Sequence, residues 1–177
     1  MPHALLSRPD ATEYAPHYGK YISLIPEGDL IKMLSEQLNN TLAILRNISE
    51  AQSLTRYEPG KWSIKEVIGH LTDTERIMSY RALRIARADE TPIPGFEQDD
   101  YVRAANFDTR PFIEIVNEFQ AVRQATLALF RGFDEAALAR RGTASNLAIS
   151  AHALTHIVAG HERHHMNVLQ TKYLPNL

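Results

Sequence analysis

Apolar residues recur at helical spacing over four stretches of this chain. From Asp29 to about Ala51, Leu30, Leu34, Leu38, Leu42 and Leu45 step by three or four, which predicts an amphipathic first helix. A Pro59-Gly60 turn follows, and then Ser63-Ile64-Lys65-Glu66, a capping-box pattern that opens a second helix. Its inward stripe is Ile64, Val67, Ile68, Leu71, Met78, Ala82 and Ile85, and it fades near Ala88-Asp89 ahead of Thr91-Pro92-Ile93-Pro94-Gly95. The third enters at Thr109-Arg110-Pro111, with proline suited to a first turn, and runs through Phe112, Ile115, Phe119, Val122, Leu129 and Phe133. The fourth runs from about Ser150 to Tyr173. No stretch alternates strictly enough to predict a strand, and no internal repeat is visible.

The fold class expected from this pattern is all-α, a four-helix bundle spanning 29–177. Residues 1–28 lack a sustained period and carry Pro2, Pro9, Pro16 and Pro26, so they read as an N-terminal arm. The first two helices are joined by about a dozen residues, compatible with antiparallel neighbours. Asp89 to Asp108 offers 20 residues between the second and third helices. Extended, that segment reaches roughly 66–72 Å, about twice the length of a 20-residue helix, so a crossover is feasible and the topology expected is up-down-down-up.

Composition narrows the function. A chain of 177 residues is one compact domain, and 19 Lys plus Arg against 21 Asp plus Glu leave no basic surplus for phosphates or anionic lipid. Nucleic acid and membrane are therefore not expected as partners. With no cysteine there is no disulfide scaffold and no thiol nucleophile. No apolar run approaches the ~18 residues of a membrane span and no signal-peptide pattern opens the chain, so a cytoplasmic location is expected.

Five of the eight histidines fall between His152 and His165. Heptad steps along the fourth helix give Leu154, Val158, His161, His165 and Val168, placing two histidines on the inward stripe, one turn apart on one face. Burying such a pair without a common partner costs desolvation twice, whereas two imidazoles can converge on one ion. His161-Glu162-Arg163-His164-His165 formally matches H-E-x-x-H, but Thr171 stands where a longer zincin needs histidine and no acidic residue follows Glu162, so a protease is not expected. A third ligand must come from upstream, and His70, at or near the second helix's inward stripe, is the candidate.

The run Lys61-Trp62-Ser63-Ile64-Lys65-Glu66-Val67-Ile68-Gly69-His70-Leu71-Thr72-Asp73-Thr74-Glu75, then Pro94-Gly95-Phe96 with Asp100-Tyr101, then Gly160-His161-Glu162-Arg163-His164-His165, resembles the DinB/YfiT-like family of metalloenzymes. The resemblance covers roughly 29–173. It implies an up-down-down-up bundle and a divalent metal site formed by His70, His161 and His165. It implies no single activity, since some relatives are thiol-dependent S-transferases or isomerases and many have no assigned reaction.

Three histidine ligands leave an open position, the pattern of catalytic centres. The expected function is a metal-dependent enzyme acting on a small molecule, by hydrolysis or by S-transfer with a low-molecular-weight thiol. The alternative is a non-catalytic metal-binding or stress-response bundle. Zinc and nickel both suit imidazole. Because a ligating imidazole must be neutral, affinity is expected to fall through the ordinary histidine pKa of about 6.5. Around the ligands, Asp73 and Glu66 are within helical reach of His70 as orienting acceptors, although the capping box already occupies Glu66. Arg123 lines the pocket or forms an interhelical ion pair. Glu162, rotated by about 100° from His161, is expected on a solvated face. His156 and His164 read as flank positions and Trp62 as a helix staple. A homodimer is expected, with the arm packing on a neighbour.

Overall fold

A computed structural model describes residues 3–177; Met1 and Pro2 of the predicted arm lie outside the described residues. The helices are α1 (Gly19–Ile22), α2 (Leu30–Leu45), α3 (Ile64–Ala86), α4 (Gln98–Ala105), α5 (Phe112–Arg131), α6 (Glu135–Ala139) and α7 (Ala151–Val168), which continues as a wider π turn over Leu169–Tyr173. Each predicted long helix has its counterpart in α2, α3, α5 and α7. The first stops at Leu45 rather than near Ala51. There the Asn47 side chain donates back to the Ala43 carbonyl, and Ser49 and Gln52 exchange side-chain and backbone hydrogen bonds in a separate turn. Such short polar side chains compete with helical continuation.

Hydrogen bonds across the bundle set the directions. Lys65 donates to the Arg110 carbonyl while Arg76 meets Glu118 and Arg123 meets Glu75, so α3 and α5 run parallel. Gln37 donates to the Ala159 carbonyl and Thr41 to Glu162, so α2 and α7 also run parallel. His70 lies against His161 and His165 while Met78 shares an apolar cluster with Leu154 and Ile157, which makes α3 and α7 antiparallel. The result is up-down-down-up. Helix α3 packs on α5 and α7, and α2 packs on the same two, so α2 and α3 stand across the diagonal rather than as neighbours. A dozen or more connecting residues permitted either arrangement.

Two strands that sequence pattern did not predict, β1 (Arg141–Ala144) and β2 (Leu147–Ser150), pair antiparallel ahead of α7. Ser145 and Asn146 both have positive φ (52° and 63°), as a two-residue hairpin turn demands, and only four residues on each side hid the alternation. Ile93 of the crossover bonds to this hairpin through the Thr143 carbonyl and the Ser145 amide, which fixes the crossover over one end of the bundle. The arm belongs to this chain's own core: Leu5, Ile22 and Ile25 are buried with Leu30, Leu34 and Phe130.

The interior divides into two apolar clusters. One is built around Leu34, Met78, Phe130, Leu154 and Ile157, the other around Leu42, Ile68, Phe119, Met166 and Leu169. Between them the four long helices contribute a buried polar layer that includes Thr41, His70, Thr74, Glu75, Arg123, His161 and Glu162. Among the described residues no helix is long and apolar enough to cross a membrane.

Candidate metal centre

The start of α3 is fixed by the predicted capping box: Ser63 Oγ accepts from the Glu66 amide at 3.1 Å and Glu66 Oε2 accepts from the Ser63 amide at 2.8 Å. Ser63 Oγ also donates to Asp108 at 2.5 Å, and buried Lys65 donates to the Asp108 and Arg110 carbonyls and pairs with Glu50. These contacts lock the first turn of α3 against the entry to α5. His70 follows two turns later.

Two of the three inward histidines, His70 and His161, have a glycine before them where another segment crowds the helix. A Cβ on Gly69 would stand 2.4 Å from the Phe107 ring, and one on Gly160 would stand 2.2 Å from the Tyr21 carbonyl oxygen. Close approach of Tyr21 brings its ring edge-on to His161 (5.3 Å between centroids) and His164 (5.5 Å). Trp62 lies on the other side, 4.7 Å from the His70 ring.

The three predicted histidines meet. Nε2 of His161 is 3.1 Å from Nε2 of His70 and 3.1 Å from Nε2 of His165, and the three ring nitrogens lie within 4.8 Å of one another. Burial lowers the His70 pKa to about 4; burial, with charge from His70, His164 and Lys20, lowers that of His165 to about 3; His161 is driven well below its ordinary value by burial and by both partners. All three rings are neutral near pH 7. A neutral ring nitrogen offers one N–H or one lone pair, so the close contacts around His161 cannot all be good hydrogen bonds. A cation resolves the conflict by taking three lone pairs. Two nitrogens 3.1 Å apart and each about 2.0–2.1 Å from a shared ion would subtend roughly 100°, so the donor set fits a divalent metal.

The side chains around the triad differ from expectation. His70 Nδ1 faces Thr74 Oγ1 at 3.4 Å, one turn along α3, so the orienting partner is Thr74 and not Asp73 or Glu66. Asp73 pairs with Arg76 at 3.5 Å, and Glu66 is held by its cap and by Arg56. A hydroxyl at i+4 was the available signal. Arg123 does not line the pocket. It is fully buried behind the triad, bonded bidentately to Glu75 (2.8 and 2.7 Å) and to Glu162 at 2.6 Å. Glu162 is therefore buried rather than solvated, its other oxygen accepting from Thr41 at 2.7 Å. The 100° step from His161 turns it toward α2 and α5, because α7 is enclosed on every side over this stretch. His156 sits apart, beside His152 and Thr155. His164 contacts Tyr21 and His165 on the flank.

Cavities open on both sides of the triad. One of about 310 Å³ reaches His70 and His161 and is walled by Tyr21 from the arm, Arg81, and Phe96, Glu97 and Asp99 from the crossover. The other, about 340 Å³, reaches His164 and His165 between Trp62, Tyr57 and Tyr173, with Asp99 again at its edge. The arm and α4 supply walls that sequence pattern alone left unassigned.

Fold and site together define a four-helix-bundle protein with a buried histidine triad open to solvent cavities. The chain belongs to the DinB superfamily, whose family model matches residues 33–169. A protein of Oceanobacillus iheyensis, OB0413, named provisionally as a metal-dependent hydrolase, is 24% identical over 139 residues, 77% of this chain and 79% of that one. YfiT from Bacillus subtilis, described as a probable metal-dependent hydrolase with an unusual four-helix bundle topology, matches with a TM-score of 0.73 over 93% of this chain and 90% of its own. At 17% identity that likeness is one of fold.

Proposed function

We propose that this protein is a metal-dependent hydrolase of a small molecule, with His70, His161 and His165 holding a divalent ion, zinc or nickel. The observation that carries this reading is the convergence of three neutral Nε2 atoms at the wall of a cavity lined by crossover residues. A sealed triad would instead favour the non-catalytic bundle. Bound there, such an ion supplies Lewis acidity and brings the pKa of a coordinated water to about 7.

The chain's own groups do the rest. Thr74, accepting from His70 Nδ1–H, selects the tautomer whose Nε2 lone pair faces the site. Tyr21 packs edge-on against the His161 ring and Trp62 against the His70 ring, which holds both in place. Glu97 and Asp99 are carboxylates of the cavity wall, and Asp99, at the edge of both cavities, is the group to take up a proton released at the centre. The second reading is thiol-dependent S-transfer. It is favoured by the cavity on each side of the triad, which gives room for two reactants, in a chain with no cysteine of its own.

The test is metal stoichiometry followed by turnover. One zinc or nickel ion per chain is expected in the parent protein, with loss in His70→Ala, His161→Ala and His165→Ala and full retention in His152→Ala and His164→Ala. Metal-dependent cleavage of small esters or amides without added thiol supports hydrolysis, and turnover of electrophiles only with a low-molecular-weight thiol supports transfer. Full occupancy in His70→Ala would overturn the ligand assignment.

A further inference from the structure

Two arginines are buried in this bundle, and their surroundings differ. Arg123 has two carboxylates, Glu75 and Glu162. Arg81, on α3 and 1% exposed, has no described carboxylate within ion-pair distance. Its Nη2 donates to neutral oxygens, the Pro94 carbonyl at 2.9 Å and Ser145 Oγ at 3.0 Å. Its Nη1 lies 3.8 Å from the Met78 sulfur, the Tyr18 hydroxyl of the same cavity wall shares the guanidinium, and its Nε, fully buried, has no acceptor. The Phe96 ring lies 5.8 Å from its guanidinium carbon. Arginine stays protonated in proteins, so it cannot relieve this burial by losing its charge.

Arg81 lines the same 310 Å³ cavity as His70 and His161. Eleven residues separate it from His70, so the two positions differ by only about 20° around α3 and by about 16 Å along it. Helical side chains lean toward the N-terminus, which brings the guanidinium back toward the triad. The hairpin turn and the Ile93 bridge hold Ser145 and Pro94 against one edge of the guanidinium and leave Nε, on its other edge, without an acceptor.

We infer that Arg81 binds an anionic group of the substrate, so that the substrate is a small molecule carrying a carboxylate or phosphate remote from the bond attacked at the triad. This assignment rests on the proposed function for its second half only: anion capture by Arg81 does not need the metal. Glu97 and Asp99, in the same cavity, set a negative rim that a bound anion passes on its way to the guanidinium.

The full-length protein, metal-loaded and metal-free, is titrated with propionate, inorganic phosphate and the neutral control propionamide, read by calorimetry and melting temperature. At least one of the anions is expected to bind and raise the melting temperature in both forms, while propionamide does neither. Preference for propionate identifies a carboxylate substrate, and preference for phosphate a phosphate ester. Arg81→Met should weaken anion binding at least about tenfold, the worth of one charge-assisted hydrogen bond. It should keep one metal per chain and melt no lower without anion. Arg81→Lys should retain an intermediate affinity and decides the matter if Arg81→Met does not fold. No anion binding by the parent protein, or equal binding by the folded Arg81 variants, overturns the inference. Failure of metal binding alone overturns the proposed hydrolase and leaves anion capture standing.

Discussion

A neutral histidine ring costs little to bury, whereas a protonated one costs a great deal, and that asymmetry makes pH a probe of this site. The folded pKa is lowered for His70 to about 4, and for His156 and His165 to about 3, burial being the main cause in each. The unfolded rings titrate near ~6.5. Below that pH the unfolded chain takes up protons the folded one refuses, so this stability is complete above about 6.5 and is lost as pH falls toward about 4. The metal-free protein should lose about 2 kcal/mol per buried ring between pH 7 and pH 5, measured by urea unfolding at each pH. The expectation that metal affinity falls through the ordinary histidine value is thereby revised: protons compete for these folded rings only well below it. His70, His161 and His165 were legible in the sequence because a polar residue on an apolar stripe contradicts its neighbours. The burial of Glu162 was not, since it depends on which helix lies opposite, whereas Thr74, one turn from His70 on the same helix, lay within local reach.

Helix α7 shows that dependence at the scale of an element. Its first dozen residues, Ala151 to Glu162, are all buried, so it has no solvent face to contrast with its apolar stripe. Periodicity found the helix but could not say that α1, α2 and α3 surround it. The Arg123 network is a product of the same enclosure, one residue from α5 joining carboxylates of α3 and α7. Removing the guanidinium would leave Glu75 and Glu162 buried and unpaired, so Arg123→Met should destabilise by about 3–5 kcal/mol in equilibrium unfolding. Arg81→Met, which strands no carboxylate, should show no such loss.

For the whole molecule, an ion bound as proposed by His70 from α3 and by His161 and His165 from α7 would tie two antiparallel helices at the middle of the bundle. Free zinc or nickel at 100 times its dissociation constant should add about 2.7 kcal/mol, and a chain of this size should then melt roughly 5–10 °C higher. Scanning calorimetry with metal, with chelator and in His165→Ala tests this, the variant showing no metal-dependent shift. The arm contributes at this scale too. Its docking through Leu5, Ile22 and Ile25 uses apolar surface that sequence reading had offered to a neighbouring copy, and Tyr21 becomes part of the site.

Sequence alone determined the four long helices, the capping box that opens the second and the three histidines. Each is a local matter: helical period, a side chain returning to its own backbone, or a polar residue out of place on a stripe. Tertiary structure decided which helices are neighbours, that α2 and α3 stand on the diagonal, and that Glu162 faces Arg123 rather than water. It also built the cavities from the arm and α4, and left Arg81 in one of them without a counter-charge. Those outcomes depend on contacts between residues far apart in the chain, where one helix's environment is set by another's position and no local pattern carries the information.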